Sequence, residues 1–248
     1  MLAGWELVVG LAALLLGSFV FSAVGFGMAL AMAPILLLIL EPQQVVVLAN
    51  SMIVLATVMI LAQTWRHYRW RPSWLFVAAG LPPVPLGVIL LNTAAPTVLR
   101  TAIAALILLI ALLMLFDVRL PAARTRGGAV GFGFTTTLLT TTLSIGGFVA
   151  GIYAIEQDWT REQMRATLAV YFLLAGALGL ALYAATGLIP RQMAYDIGVG
   201  APAVIAGSLV GGWLARRMSL TVFRYAVLFV IIGGCLALLG REALRWWL

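Results

Sequence analysis

The chain contains no lysine, a single histidine, His67, and a single cysteine, Cys235, and only 9% of its residues are charged. One cysteine builds neither a disulfide nor a thiolate metal site within one chain. No H-E-x-x-H, no pair of inward carboxylates, no G-x-x-x-x-G-K-[ST] and no G-x-S-x-G occurs. ATP-driven transport, metal-assisted hydrolysis and serine chemistry therefore lack the side chains they use. No cofactor is implied and an enzyme is not expected. The N-terminus, MLAGWELVVG, has an acid at Glu6 and no basic n-region, so the first segment is expected to stay in the protein and not to be removed as a signal peptide.

What is present in excess is apolar surface. Hydrophobic residues make up 64% of the 248 positions and the mean hydropathy is +1.12, against roughly 45–50% apolar and about 25% charged in soluble domains. The composition is that of a polytopic, all-α membrane protein. Apolar stretches run over 3–40, 43–65, 73–92, 97–116, 127–156, 166–187, 192–214 and 220–240. A single crossing takes about 20 residues. Stretch 3–40 would be about 57 Å long as one helix and 127–156 about 45 Å. Both carry glycine breaks, GFGMALAMAP at 25–34 and TTTLLTTTLSIGG at 135–147.

All fifteen basic residues are arginine, giving a net charge of +7. In a membrane chain this excess reads first as topology. Arg66, Arg69 and Arg71 share one loop, Arg119, Arg124 and Arg126 another, and Arg216 and Arg217 a third, whereas loops 93–96 and 188–191 hold only Arg191. With the arginine-rich loops in the cytoplasm, 127–156 must be a hairpin opening to the cytoplasmic side and 3–40 a hairpin on the opposite side, with the N-terminus outside. Trp65, Tyr68, Trp70 and Trp74, with Trp246 and Trp247, form interfacial belts and not base-stacking platforms. No nucleic-acid partner is expected.

The chain also resembles itself. Gly80-Leu-Pro82 to Gly87 matches Gly200-Ala-Pro202 to Gly207 as G-x-P-x-x-x-x-G at a shift of 120, which also places Gly27 on Gly147 and Gln43 on Gln163. Thr97-Val-Leu-Arg100 matches Thr221-Val-Phe-Arg224 at a shift of 124. Loop charge before and after the two G-x-P helices is reversed, so the halves read as inverted: 1–118 as the first repeat, 119–126 as a cytoplasmic linker and 127–248 as the second. Each repeat is a glycine-broken helical hairpin followed by three transmembrane helices. Inverted repeats are a plan of secondary transporters, which hold substrate near the midplane between discontinuous helices.

Non-helical backbone at membrane depth must line protein or a cavity. Glycine permits the turn and the close approach, and a half-helix beginning there aims free N–H groups and a positive dipole end inward. The expected anion-binding set begins with the glycine turns, including Gly27, Gly146 and Gly147, and the hydroxyls of Thr141, Thr142 and Ser144; for any one threonine, packing is the competing role. Asn50 and Ser51 lie two turns into helix 43–65, with Asn50 either bonding helix to helix or touching substrate, and Thr167 opens helix 166–187. Arg165 either reaches an anion or anchors the span on the cytoplasmic side. Gln43 and Gln163 read as caps. Glu6 and Asp196 read as snorkelling or capping groups, Asp196 also as a candidate proton carrier, and His67 as interfacial.

The break GFGMALAMAP, the helix EPQQVVVLANSM, the basic turn WRHYRWRP and the second copy ending REQMRATLAVYFLLAGALG together resemble the sulfite exporter TauE/SafE family over nearly the whole chain. The resemblance implies a carrier of sulfite or organosulfonates in a prokaryotic cytoplasmic membrane. It implies that Gly25, Phe26 and Gly27 together with Ser144, Gly146 and Gly147 line the site, with Asn50, Ser51 and Thr167 on the following helices. The expected partners are a small anion and the lipid bilayer, and a homo-oligomer is compatible with the sequence. A passive anion channel and a non-transporting membrane assembly factor are the alternative functions.

Overall fold

In the computed structural model, residues 4–115 and 120–214 are described. Stretch 220–240 with Cys235, the match at Thr221 and Arg224, Arg119, Arg216, Arg217, Trp246 and Trp247 lie outside them. The described residues are helical: α1 (Trp5–Val24), α2 (Met28–Leu36), α3 (Pro42–Thr64), α4 (Trp70–Ala79), α5 (Pro83–Thr93), α6 (Pro96–Leu115), α7 (Arg126–Leu143), α8 (Gly147–Ile155), α9 (Arg161–Ala185) and α10 (Arg191–Leu214). Five spans, at Trp5–Ala23, Pro42–His67, Ser73–Thr93, Arg161–Ala185 and Arg191–Trp213, are long and apolar enough to cross a bilayer. The chain is a multi-pass membrane protein.

The two overlong stretches are both broken. Residues 3–40 divide into α1 and α2, and 127–156 into α7 and α8. The second legs α2 and α8 have 9 residues each, about 14 Å of helix, which is half a hydrocarbon core. Both therefore begin inside the protein.

The span expected at 73–92 is interrupted. Between α4 and α5 the chain passes Gly80-Leu81-Pro82, with Gly80 N–H bonded to Val77 O and Leu81 N–H to Ala78 O. Pro82, Pro83 and Pro85 supply no N–H, so the i to i−4 ladder cannot run through. Helix α9 begins earlier than expected, at Arg161, because Thr160 and Gln163 form a reciprocal capping box. In the first half the corresponding box uses Glu41 and Gln44. Gln43 instead donates from Nε2 to Leu91 O on α5, at 3.1 Å.

Several helix associations build the core among the described residues. Helix α1 packs on α10 and α2, α7 on α4 and α5, and α3 on α9 and α10. Close approach depends on glycine at the positions the internal repeat marks. A Cβ on Gly207 would fall 2.1 Å from Ser18 Oγ, and one on Gly87 would fall 1.8 Å from Thr141 Oγ1. A Cβ on Gly200 would meet Leu14 and Met52, and one on Gly80 would meet the ring of Tyr171. Aromatic stacking fixes the short leg α8. Phe76 on α4 stacks on Tyr153 of α8 at 4.2 Å and on Tyr171 of α9 at 4.4 Å.

Candidate functional site

At the first break α1 closes with Gly25 in the left-handed region (φ 96°), its N–H bonded to Phe21 O at 2.7 Å, and Gly27 (φ 90°) caps α2. Only glycine adopts such angles at no steric cost. The first helical bond of α2 runs from Ala31 N–H to Gly27 O, so helix geometry leaves the N–H groups of Met28, Ala29 and Leu30 without an acceptor in their own helix.

The second break turns differently. The left-handed residue is Ser144 (φ 63°), while Gly146 has an ordinary φ of −61°. Gly146 is needed for space: a Cβ there would lie 1.9 Å from Thr136 O and 2.3 Å from Thr140 Oγ1. Helix α8 then starts with Ala150 N–H bonded to Gly146 O.

The two turns meet. A Cβ on Gly147 would be 3.2 Å from the Gly27 nitrogen and 3.4 Å from Phe26 Cβ, and one on Gly151 would be 2.6 Å from the Phe26 ring. Between them lies a cavity with room for one water-sized occupant, lined by Gly27, Met28, Ala29, Leu30, Ser144, Ile145 and Gly147, with Phe21, Ile53, Thr140 and Phe172 closing it. Ser144 is 3% exposed and its Oγ has no hydrogen-bond partner among the described residues. Buried hydroxyls are nearly always satisfied, which makes Ser144 an exception at the second break.

Of the other expected residues, Arg165 is only 7% exposed. It lies under the first break, with its Cγ 3.5 Å from where a Cβ on Gly25 would be. Burial beside the turn, and not exposure at a membrane surface, is its environment. Thr167 is buried two residues further along α9. Asn50 is buried, and its Nδ2 donates to Thr140 O at 2.9 Å and to Tyr183 Oη at 3.1 Å. It thus ties α3 to the last turn of α7 and to α9. Ser51 Oγ bonds Val47 O in its own helix, and Thr142 Oγ1 bonds Gly87 O on α5; neither lines the cavity between the breaks. Asp196 is 5% exposed, more deeply buried than a snorkelling residue would be, and His67 is exposed in a single 3-10 turn.

The residues that sequence reasoning missed are Thr137, Thr140, Tyr171, Tyr183 and Phe172. They form a second small cavity with Asn50, beside the first and sharing Ile53, Thr140 and Phe172 with it. A signal existed. Thr136, Thr137, Thr140 and Thr141 recur at i, i+1, i+4 and i+5, one helical face, and a tyrosine hydroxyl inside an apolar span requires a partner.

No curated protein and no solved structure matches the chain. Residues 9–238, nearly its whole length, match the family described as Sulfite exporter TauE/SafE. With its broken helices and its multi-pass helical architecture, the chain belongs to the TauE/SafE family, a family of membrane transporters of sulfur-containing anions and not of enzymes.

Proposed function

We propose that the protein is a secondary transporter of sulfite or organosulfonates, working by alternating access across the cytoplasmic membrane with its N-terminus outside and its substrate held between the two breaks. The observation that carries this reading is the apposition of two half-helix starts around the hydroxyl of Ser144, which has no partner among the described residues. Backbone N–H groups and positive dipole ends attract an oxyanion without a charged side chain in contact. Arg165, under Gly25, adds positive potential from one side. Gly25, Phe26, Gly27, Gly146 and Gly147 act by shaping the turns. Asn50, Ser51, Thr142 and Thr167 support the frame around them.

The inverted repeat supports alternating access. Helices α3 and α9, related by the shift of 120, run antiparallel: Asn50 meets Tyr183 and Val54 meets Gly176. The pairing of α1 with α10 resembles the pairing of α7 with α4 and α5, with Gly207 packed against Ser18 of α1 and Gly87 against Thr141 of α7. Two halves of opposite orientation with similar helix pairings can exchange roles at low energetic cost, which is the basis of rocking about a midplane site. A cavity the size of one water is too small for sulfite, so binding requires the turns to separate. That motion belongs to an opening step and not to a permanently open channel.

The test is uptake of labelled sulfite into proteoliposomes with and without unlabelled sulfite inside. A carrier gives saturable uptake that is accelerated by internal substrate. Non-saturating flux without counterflow would make the protein a channel, and absence of flux in a folded preparation would favour the assembly-factor reading.

A further inference from the structure

The turn between the spans Pro42–His67 and Ser73–Thr93 carries a charge that the chain leaves unanswered. Arg66, Arg69 and Arg71 crowd into it, and no aspartate or glutamate occurs between Glu41 and Asp117. All three arginines are exposed, and none meets a carboxylate among the described residues. The turn before α7 behaves differently. There Arg124 lies 3.4 Å from both Glu156 and Asp158, which follow α8, so its charge is met from inside the protein.

The apolar partners of the patch are as exposed as its charges. Trp65, Trp70 and Trp74 are 61%, 59% and 49% exposed, and they stand at or between the ends of the two spans. An indole at that level sets its ring among glycerol and upper acyl carbons and its N–H among the headgroups. A free anion in water has no use for such an apolar edge. The guanidinium of Arg66 lies over the Trp65 ring, 5.7 Å from its centre, a cation–π placement that keeps charge and ring together. The backbone beneath is fixed. Tyr68 N–H bonds Trp65 O at 3.2 Å, Ser73 Oγ bonds Arg69 O at 2.7 Å, and the Tyr68 and Trp70 rings meet edge to face at 6.3 Å.

We propose that this patch binds an anionic phospholipid, with the arginines on the headgroup phosphate and the tryptophans against the glycerol and acyl chains. Guanidinium groups donate in a planar fork that matches phosphate oxygens, and each basic residue near a membrane surface adds to the attraction for negative lipid. A phosphocholine headgroup carries its own cation, which three arginines repel, so the patch selects lipids of net negative charge. The site lies apart from both breaks and does not depend on what the protein transports. Its place in the fold has a consequence. Trp70 opens α4, and Phe76 on α4 stacks on Tyr153 of α8 and on Tyr171 of α9. A lipid seated at the start of α4 steadies the helix that holds the short leg α8, so binding raises thermal stability.

The experiment uses the full-length purified protein, stripped of lipid in a nonionic detergent at fixed ionic strength. Thermal unfolding is followed as dioleoylphosphatidylglycerol, dioleoylphosphatidylcholine or inorganic phosphate is added, and retained lipid is counted by native mass spectrometry. The expected result is saturable stabilisation and retention with phosphatidylglycerol that neither phosphatidylcholine nor inorganic phosphate gives. Arg66→Gln, Arg69→Gln and Arg71→Gln together should raise the half-saturating phosphatidylglycerol concentration about tenfold or more, and Arg→Lys at the same three positions should keep most of the affinity. Arg126→Gln, exposed in the other turn, should change it less than about twofold. Equal stabilisation by the two lipids, or by inorganic phosphate, would overturn the proposal, as would an unchanged phosphatidylglycerol response in the triple glutamine variant. Should that variant fail to fold, Arg69→Gln alone makes the same test, with an expected loss of about fivefold for one charge.

Discussion

Gly147 and Gly27, on opposite hairpins and 120 positions apart, approach so closely that a Cβ on the first would lie 3.2 Å from the nitrogen of the second. Nothing larger than a methyl group fits without parting the turns. Gly147→Ala should still fold, with the neighbouring backbone giving way by a few tenths of an ångström. Gly147→Leu should insert but lose sulfite transport. Gly27→Leu should do the same, with the added strain of φ 90°. Normal flux in a folded Gly147→Leu protein would remove the breaks from the transport path.

Ser144 separates stability from binding. Its left-handed backbone costs a non-glycine residue about 1 kcal/mol, whereas its hydroxyl bonds nothing among the described residues. Ser144→Gly should therefore raise the unfolding midpoint and at the same time raise the KM for sulfite about three- to tenfold, the value of one hydrogen bond. Loss of stability with unchanged KM would assign the hydroxyl a purely structural role.

Asn50 and Ser51 are neighbours with different attachments. The Asn50 amide joins three helices, whereas Ser51 bonds its own helix backbone. Asn50→Leu should cost about 1–2 kcal/mol, the upper range for interhelical hydrogen bonds in membranes. Ser51→Ala should stay within about 0.5 kcal/mol, as for a substitution that breaks no tertiary contact. Thermal unfolding in detergent measures both.

The breaks and most of the spans were legible because they rest on length: 3–40 and 127–156 exceed one crossing and fall short of two, whatever the packing. The glycines at 80, 87, 200 and 207 were legible only as marks of the internal repeat, and the close helix contacts they permit appear in the structure. Less legible was which residue turns the chain. Gly146 and Gly147 drew attention at the second break, yet Ser144 takes the left-handed angle and Gly146 merely clears Thr136 and Thr140. The interruption at Pro82 was hidden inside a stretch of normal length. The burial of Arg165 and Asp196 was hidden as well, because charge near a span end looks the same in sequence whether it faces lipid headgroups or the core.

Arg165 and Arg161 provide an internal comparison on α9. Arg161 is exposed in the first turn, and Arg165, one turn on, is buried beside Gly25. If Arg165 supplies positive potential to the anion, Arg165→Gln should reduce kcat/KM for sulfite about tenfold or more, since a charge acts more strongly in a buried, low-dielectric setting. Arg161→Gln, screened by solvent, should change it less than about twofold. Equal effects from the two substitutions would mean that the arginines act only as anchors.

Topology supplies the remaining prediction. Helices α3 and α9 run antiparallel, so their C-terminal ends lie on opposite sides of the membrane. The arginines of 66–71 follow α3, whereas no charged residue lies between Ala185 and Pro190 after α9. By the positive-inside rule the turn after α9 faces outward. The turn between α5 and α6, which also lacks charge, should share that side. Ala95 and Pro190 are both exposed. In a Cys235→Ser background, Ala95→Cys and Pro190→Cys should therefore both react with an impermeant thiol reagent added outside intact cells. A cysteine at either position that reacts only after the membrane is opened would break the proposed opposition between the halves, and with it the symmetry on which the alternating-access proposal rests.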